Sequence, residues 1–213
     1  MKLLIFDTET TGLPESRNPA VDGPNNWPHL VSISWVVLDS TINKIEKVRN
    51  YVIKPIDWII PAESTSIHGI THDEAVRYGS DLSNVITEFM SEQCDAMVAH
   101  NMDFDINVLT NAILWDLRLP YPVYPRQLCT MKLGRAICKL PGTFGRYKYP
   151  KLKEFYQHVF QTTPDESRLH SSMYDVMILT EIIQLCVPLR QAMGLVTGNV
   201  LGTSNGIYKN NPV

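Results

Sequence analysis

Residues 3–12, LLIFDTETTG, decide how the rest of this chain is read. An apolar run from Leu3 to Phe6 delivers Asp7 and Glu9 to the end of a strand predicted over residues 2–7, with Thr10, Thr11 and Gly12 behind them. Side chains two apart on a strand share a face, so Asp7 and Glu9 can share a cation while Thr8 points away. Alone, such a D-x-E segment is better explained as a strand entering a turn with both acids in water. Two further acidic segments shift the balance: HNMDFD at residues 100–105 and HSSMYD at residues 170–175.

With 213 residues, 44% hydrophobic and 19% charged, the chain can bury one sizeable core, as single α/β domains of this length do. One domain is expected over residues 1–190, and a glycine- and asparagine-containing tail over 191–213 suits fraying or docking. A formal net charge of −3 excludes the broad basic coat that gives strong nonspecific duplex binding. Any nucleic-acid contact must be local and assisted by metal. Cys94, Cys129, Cys138 and Cys186 are dispersed, without a C-x-x-C pair, and read as reduced thiols. A strand starts almost at once and no run of about 18 apolar residues occurs, so a soluble, intracellular protein without a membrane partner is expected.

The loop from Glu15 to His29 is too rich in proline, asparagine and glycine for regular structure. Strands over Leu30–Asp39 and Val48–Pro55 form an antiparallel meander with the first. Thr71 and Glu74 form a predicted capping box, and Asp81 heads a helix through Met90. Strand Ala96–His100 leads into a helix over Asp103–Leu117, and a short strand covers Gln127–Cys129. Helices follow at Lys132–Cys138, Lys151–Phe160 and about Leu169–Cys186, before Pro188. Three strands, then alternating strand and helix, predict a mixed five-stranded sheet flanked by helices.

His100 ends a strand, Asn101 starts a turn, and Asp105 sits in the first helical turn, where it can face the end of the first strand. Asp103 is read as the competing acid, with helix capping as its expected role. His170 and Asp175 are five residues apart, about 500° of helical rotation, which places His170 on the approach to the last helix. Asp175 lies among Met173, Val176, Met177, Leu179 and Ile182. A buried carboxylate needs a partner, and a cation satisfies it better than an apolar core does.

FDTETTG, HNMDFD and HSSMYD, in this order and at these intervals, resemble the three motifs of the DEDDh (DnaQ-like) 3′-to-5′ exonucleases. That group contains the proofreading epsilon subunit of DNA polymerase III, the TREX enzymes and RNase T. SIHGITHDEA (Ser66–Ala75) and KLKEFYQHVF (Lys151–Phe160) resemble further family segments, and the match covers residues 2 to about 187. The five-residue interval to Asp175 is the histidine form; Tyr174, adjacent to Asp175, cannot serve the tyrosine form.

The resemblance implies a ribonuclease H-like fold, two divalent ions held by Asp7, Glu9, Asp105 and Asp175, and His170 as general base. Four oxygen ligands suit Mg²⁺ or Mn²⁺ rather than zinc, and imidazole titrates near neutrality. It further implies substrate contacts at Thr10, Thr11, Gly12 and Leu13, through backbone amides for the terminal 3′-hydroxyl and Leu13 as a wedge against the last base. His68 and Asn101 would face the terminal nucleotides, and Phe104 is balanced between stacking with a base and packing in the core. His68 and His72 have i, i+4 spacing, but without H-E-x-x-H they do not read as a zinc site, and His72 is expected at the surface.

Arg126, Lys132, Arg135, Lys139, Arg146, Lys148, Lys151 and Lys153 concentrate positive charge that either tracks a single strand or forms a solvated face. Trp27 either stacks on a base or anchors its loop. The reading reached is a metal-dependent 3′-to-5′ exonuclease acting on single-stranded or frayed DNA and releasing nucleoside 5′-monophosphates. These residues carry no polymerase domain, so proofreading would require a partner DNA polymerase. The alternatives are an exoribonuclease that trims RNA 3′ ends and a non-catalytic polymerase-accessory subunit; an aspartyl-nucleophile phosphatase is disfavoured because the first motif lacks a second aspartate.

Overall fold

The computed structural model describes residues 1–195. Its centre is a five-stranded sheet of β1 (Lys2–Thr10), β2 (Leu30–Asp39), β3 (Lys44–Val52), β4 (Ala96–Ala99) and β5 (Arg126–Cys129), in the order β3-β2-β1-β4-β5. β1 and β3 both pair antiparallel with β2, while β4 runs parallel to β1 and β5 parallel to β4. This is the mixed sheet that the strand pattern predicts.

The alternation along β1 sorts the molecule into two layers. Leu4 and Phe6 face one side with Ile33, Trp35 and Met97, under α3 (Leu82–Ser91) and α4 (Met102–Asn111). Leu3 and Ile5 face the other side with Val36, Leu38 and Val98, under α6 (Leu152–Phe160) and α7 (Ser172–Leu185). β1 and β2 are buried from both sides, hence their nearly unbroken apolar runs. Thr71 and Glu74 form the expected capping box of a helix over His72–Tyr78, and the Asp81 side chain caps α3.

Several boundaries differ from expectation for identifiable reasons. β1 continues through both acids to Thr10, because its ladder with β2 extends that far. β3 begins at Lys44, four residues early; as an edge strand it exposes a polar half that carries no hydrophobic signal. A helix over Ala62–His68 was not expected, since its segment is short and rich in serine and threonine. It starts after Pro61 and ends at Gly69, whose φ of +78° closes a left-handed cap. Pro188 does not stop the chain but stands in the first turn of a further helix, Val187–Ala192, where proline is tolerated. Beyond that helix Met193 and Leu195 are buried in the core, and the rest of the tail lies outside the described residues. α4 runs on through a widened turn, Ala112–Asp116, close to the predicted end at Leu117.

Candidate active site

The site lies where β1 leaves the sheet. In the β1–β2 register Asp7 is level with Ser34 and Glu9 with Ser32, so the two acids and two serines share one face. Asp175 arrives on this face from the first turn of α7. Asp7, Glu9 and Asp175 each offer a carboxylate oxygen, and these atoms lie within 4.8 Å of one another. Asp105 comes from α4, on the opposite layer, and is buried. Its Oδ1 accepts a 2.8 Å hydrogen bond from the Thr8 hydroxyl, the side chain that points away from Asp7 and Glu9.

The four acids are electrostatically frustrated. Burial raises the Asp7 carboxyl well above the ordinary range, and Asp105, Asp175 and Glu9 add repulsion. Burial pushes Glu9 up to about 8, again with repulsion from Asp175 and Asp105. Burial likewise lifts Asp105 to about 7, against the lowering effect of the Thr8 hydroxyl, and Asp175 to about 7, against the backbone N–H of His170. Among the described residues no lysine, arginine or histidine forms an ion pair with any of the four. Asp175 Oδ1 is buried and makes no hydrogen bond. An oxygen-only donor set with excess negative charge and an unpartnered buried oxygen fits hard divalent cations.

Asp175 is positioned by a device that the motifs do not reveal. Ser172, three residues before it and buried, exchanges hydrogen bonds with Ser32 at 3.0 Å and Ser34 at 2.8 Å. Ser34 also donates to Asn50 on β3. The start of α7 is thus fixed to β2 beside Asp7 and Glu9. His170 lies outside the helix, as its spacing predicts, on an exposed turn with φ of +64°. Its backbone N–H donates to Asp175 Oδ2 at 3.3 Å.

A cleft of about 200 Å³ adjoins Glu9 and brings together Thr10, Gly12, Leu13, His68 and Phe104 with Thr8, Ser64 and Ile67. Leu13 and Ile67 are exposed apolar side chains at its rim. Ile67 escaped sequence reasoning because its helix did, although it directly precedes the HGI segment. Burial lowers the His68 pKa against an opposing effect of the Thr10 backbone, while its Nε2 makes no hydrogen bond of normal geometry. Thr11 is not in this cleft: its N–H donates to the His29 carbonyl and its hydroxyl accepts from the His29 N–H. The Thr11 amide is therefore engaged, which leaves Gly12 and Leu13 as the open part of the turn.

Asn101 occupies the N-cap position of α4 with left-handed backbone, φ +84°, and its side chain makes no capping bond. Asp103 is not the cap expected of it; it is exposed and pairs with Lys132 at 2.6 Å. His72 is half-buried rather than at the surface. Trp27 anchors its loop, with Nε1 donating to the Asn18 carbonyl and its ring against Phe104 at 5.7 Å. Phe104 both packs on the core and lines the cleft. The four cysteines are free thiols.

The sequence model of the RNase T exonuclease family matches residues 4–183. The chain is 29% identical over 187 residues to an uncharacterized exonuclease, CP81, of Escherichia phage 186, covering 84% of this chain and 85% of that one. It is 27% identical over 199 residues to a DNA polymerase III subunit epsilon-like protein of Rhodobacter capsulatus, covering 92% of this chain but only 25% of that protein. In fold it resembles the nuclease domain of 3′hExo, a DEDDh family member bound to rAMP, with a TM-score of 0.65, 18% identity, and coverage of 91% and 92%. The chain belongs to the RNase T family of exonucleases, and it shares its ribonuclease H-like fold with that DEDDh nuclease domain. Divalent metal dependence is typical of that family. Among the described residues no helix is long and apolar enough to cross a membrane.

Proposed function

We propose that this enzyme removes nucleotides one at a time from the 3′ end of single-stranded or frayed DNA, with Asp7, Glu9, Asp105 and Asp175 holding two divalent ions, Mg²⁺ or Mn²⁺. One observation carries this reading: three separate motifs bring Asp7, Glu9 and Asp175 within 4.8 Å of one another and buried Asp105 to the same strand, and among the described residues no protein cation pairs with any of them. Two ions bound there would polarise the phosphodiester and offset charge on the attacking and leaving oxygens. His170, on its exposed turn beside Asp175, takes the proton of the attacking water. The cleft beside Glu9 receives the terminal nucleotide, with Leu13 and Ile67 against the base and Gly12 near the 3′-hydroxyl. The products are nucleoside 5′-monophosphates, and the free thiols suit an intracellular compartment.

RNA is the second reading, favoured by the ribonucleotide in the 3′hExo structure. The epsilon-like relative supports a DNA polymerase as partner in proofreading, through a match to a quarter of its length. The test is a digestion of matched 5′-labelled single-stranded DNA and RNA with Mg²⁺, Mn²⁺ or EDTA, beside an Asp7→Ala control. A metal-dependent ladder that shortens from the 3′ end and vanishes in the control supports the proposal, and the faster substrate identifies the polymer. Binding without a ladder on either strand refutes it.

A further inference from the structure

From Leu117 to Lys153 the chain contains no aspartate or glutamate, yet holds nine of its 19 lysines and arginines. Part of that charge is already engaged. Lys132 pairs with Asp103, Lys148 with Glu154 and Lys153 with Glu166. The remainder gathers around a small hairpin at residues 140–150, closed by a bridge between Pro141 and Tyr147 and by the Lys148 N–H donating to the Leu140 carbonyl at 3.0 Å.

The hairpin presents aromatic rings to water. Phe144 at its tip is 99% exposed, and Tyr147 and Tyr149 are about half exposed. Phe144 also has φ of +54°, a left-handed conformation disfavoured for a bulky residue. Neither feature helps the fold. Gly142, Phe144, Arg146, Tyr147, Tyr149 and Arg135 line a shallow depression of about 500 Å³. Its base is stiff: Arg135 Nε donates to the Tyr147 carbonyl at 2.7 Å, and the guanidinium lies over the Tyr149 ring at 5.2 Å.

The hairpin is rooted at the edge of the sheet that carries the acids. The Pro150 carbonyl accepts from His100 Nε2 at 3.0 Å, and His100 Nδ1 meets the Thr130 hydroxyl at 3.1 Å. The parallel register sets Ile5 level with Val98, so two residues further Asp7 is level with His100 on the adjacent strand. His100 thus stands about one strand spacing from Asp7, and the root of the hairpin hangs on the far end of its side chain.

We infer that the 140–150 hairpin is a second nucleic-acid contact, in which Phe144 stacks on a base and Arg146, Lys139 and Arg135 meet phosphates of the single strand behind the reacting 3′ end. Interleaved aromatic and cationic side chains are what sequence-tolerant binding of a single strand requires, since every base offers a face and every linkage a charge. A net-acidic protein gains from concentrating unpaired cations in one segment. The inference rests on the exonuclease reading of the acidic site.

The test compares Phe144→Ala and Arg146→Gln with the unaltered protein on a trinucleotide and on a 15-nucleotide single strand. Phe144 and Arg146 are exposed, so both variants should fold. Each is expected to raise KM for the long strand about 5-fold or more while shrinking its advantage over the trinucleotide by the same factor. Arg146→Gln should also reduce the salt dependence of long-strand binding. Equal changes on both substrates, or none on either, would overturn the inference. If the unaltered protein cleaves neither substrate, the functional proposal fails separately. Fluorescence anisotropy with the labelled 15-mer then decides the hairpin alone: affinity lost in Phe144→Ala upholds it, and affinity retained refutes it.

Discussion

Asp105 and Asp175 reach the same strand end from opposite layers of the molecule, and they are held there by different means. Asp105 is fixed by a direct hydrogen bond from Thr8, inside the first motif. Asp175 receives only a 3.3 Å bond from the His170 backbone, keeps one buried oxygen unpartnered, and depends for its position on Ser172 clasped between Ser32 and Ser34. One helical acid is anchored through its own carboxylate; the other is anchored through its helix. His170, the residue proposed as the base, stands on the exposed turn just before the looser acid.

The sharpest way to break this comparison is to neutralise each acid in turn. Asp105→Asn and Asp175→Asn should each lower kcat by about 10³-fold or more, because each removes a charge proposed to hold the ions. Both variants should fold at least as well as the parent without metal, since each removes a repelled buried charge. Asp103→Asn should stay within about threefold, because it loses only an exposed ion pair. A large loss at Asp103 with a small one at Asp105 would reverse the assignment.

That contrast also marks what the sequence could carry. Two residues apart on a strand means one face, so the Asp7 and Glu9 pair and the opposed Thr8 were legible from the first motif. The five-residue interval placed His170 outside the helix of Asp175, where it lies. The serine clasp was not legible, because Ser172 contacts residues 138 and 140 positions away whose small polar side chains carry no motif. Ser32 and Ser34 fall in a strand read only for its β-branched residues. Ile67 was lost for a different reason: seven residues containing serine and threonine are too weak a helix signal to place a side chain at the cleft.

Removing metal should expose the frustration of the whole set. Glu9, Asp105 and Asp175 have folded-state values of about 8, 7 and 7, above their ordinary values near 4. Between those limits the folded state keeps protons that the unfolded chain has released, so the slope of stability against pH is negative. The stability that these carboxyls contribute to the chelated protein is therefore complete below about pH 4 and lost as pH rises through about 7 to 8. A fall in Tm of about 5 °C across that window is expected by calorimetry in EDTA. Mn²⁺ or Mg²⁺ replaces the protons and should stabilise more at pH 8 than at pH 6. A metal-free Tm that rises over this range would contradict the clustered, uncompensated acids.

The smallest expected effect tests the two anchors themselves. Thr8→Val keeps the shape of the side chain but removes the hydroxyl that holds Asp105. Ser172→Ala removes the clasp without adding volume. Partners of ligand side chains typically change metal affinity by about 10- to 100-fold, and the direct bond places Thr8→Val toward the upper end. Ser172→Ala, acting through the helix, belongs near the lower end, at about 10-fold. The measurement is the Mn²⁺ concentration for half-maximal rate at saturating strand, with calorimetry to separate it from stability. Ser172→Ala should weaken metal binding while KM for the strand holds, because Ser172 lies outside the proposed strand contacts, whereas Thr8 lines the cleft beside Glu9 and is compared by metal affinity alone. Equal losses in metal affinity and Tm would make the clasp merely structural. If Ser172→Ala weakens metal more than Thr8→Val, then Asp175 is the more tightly specified acid, and the contrast drawn from the hydrogen bonds runs the other way.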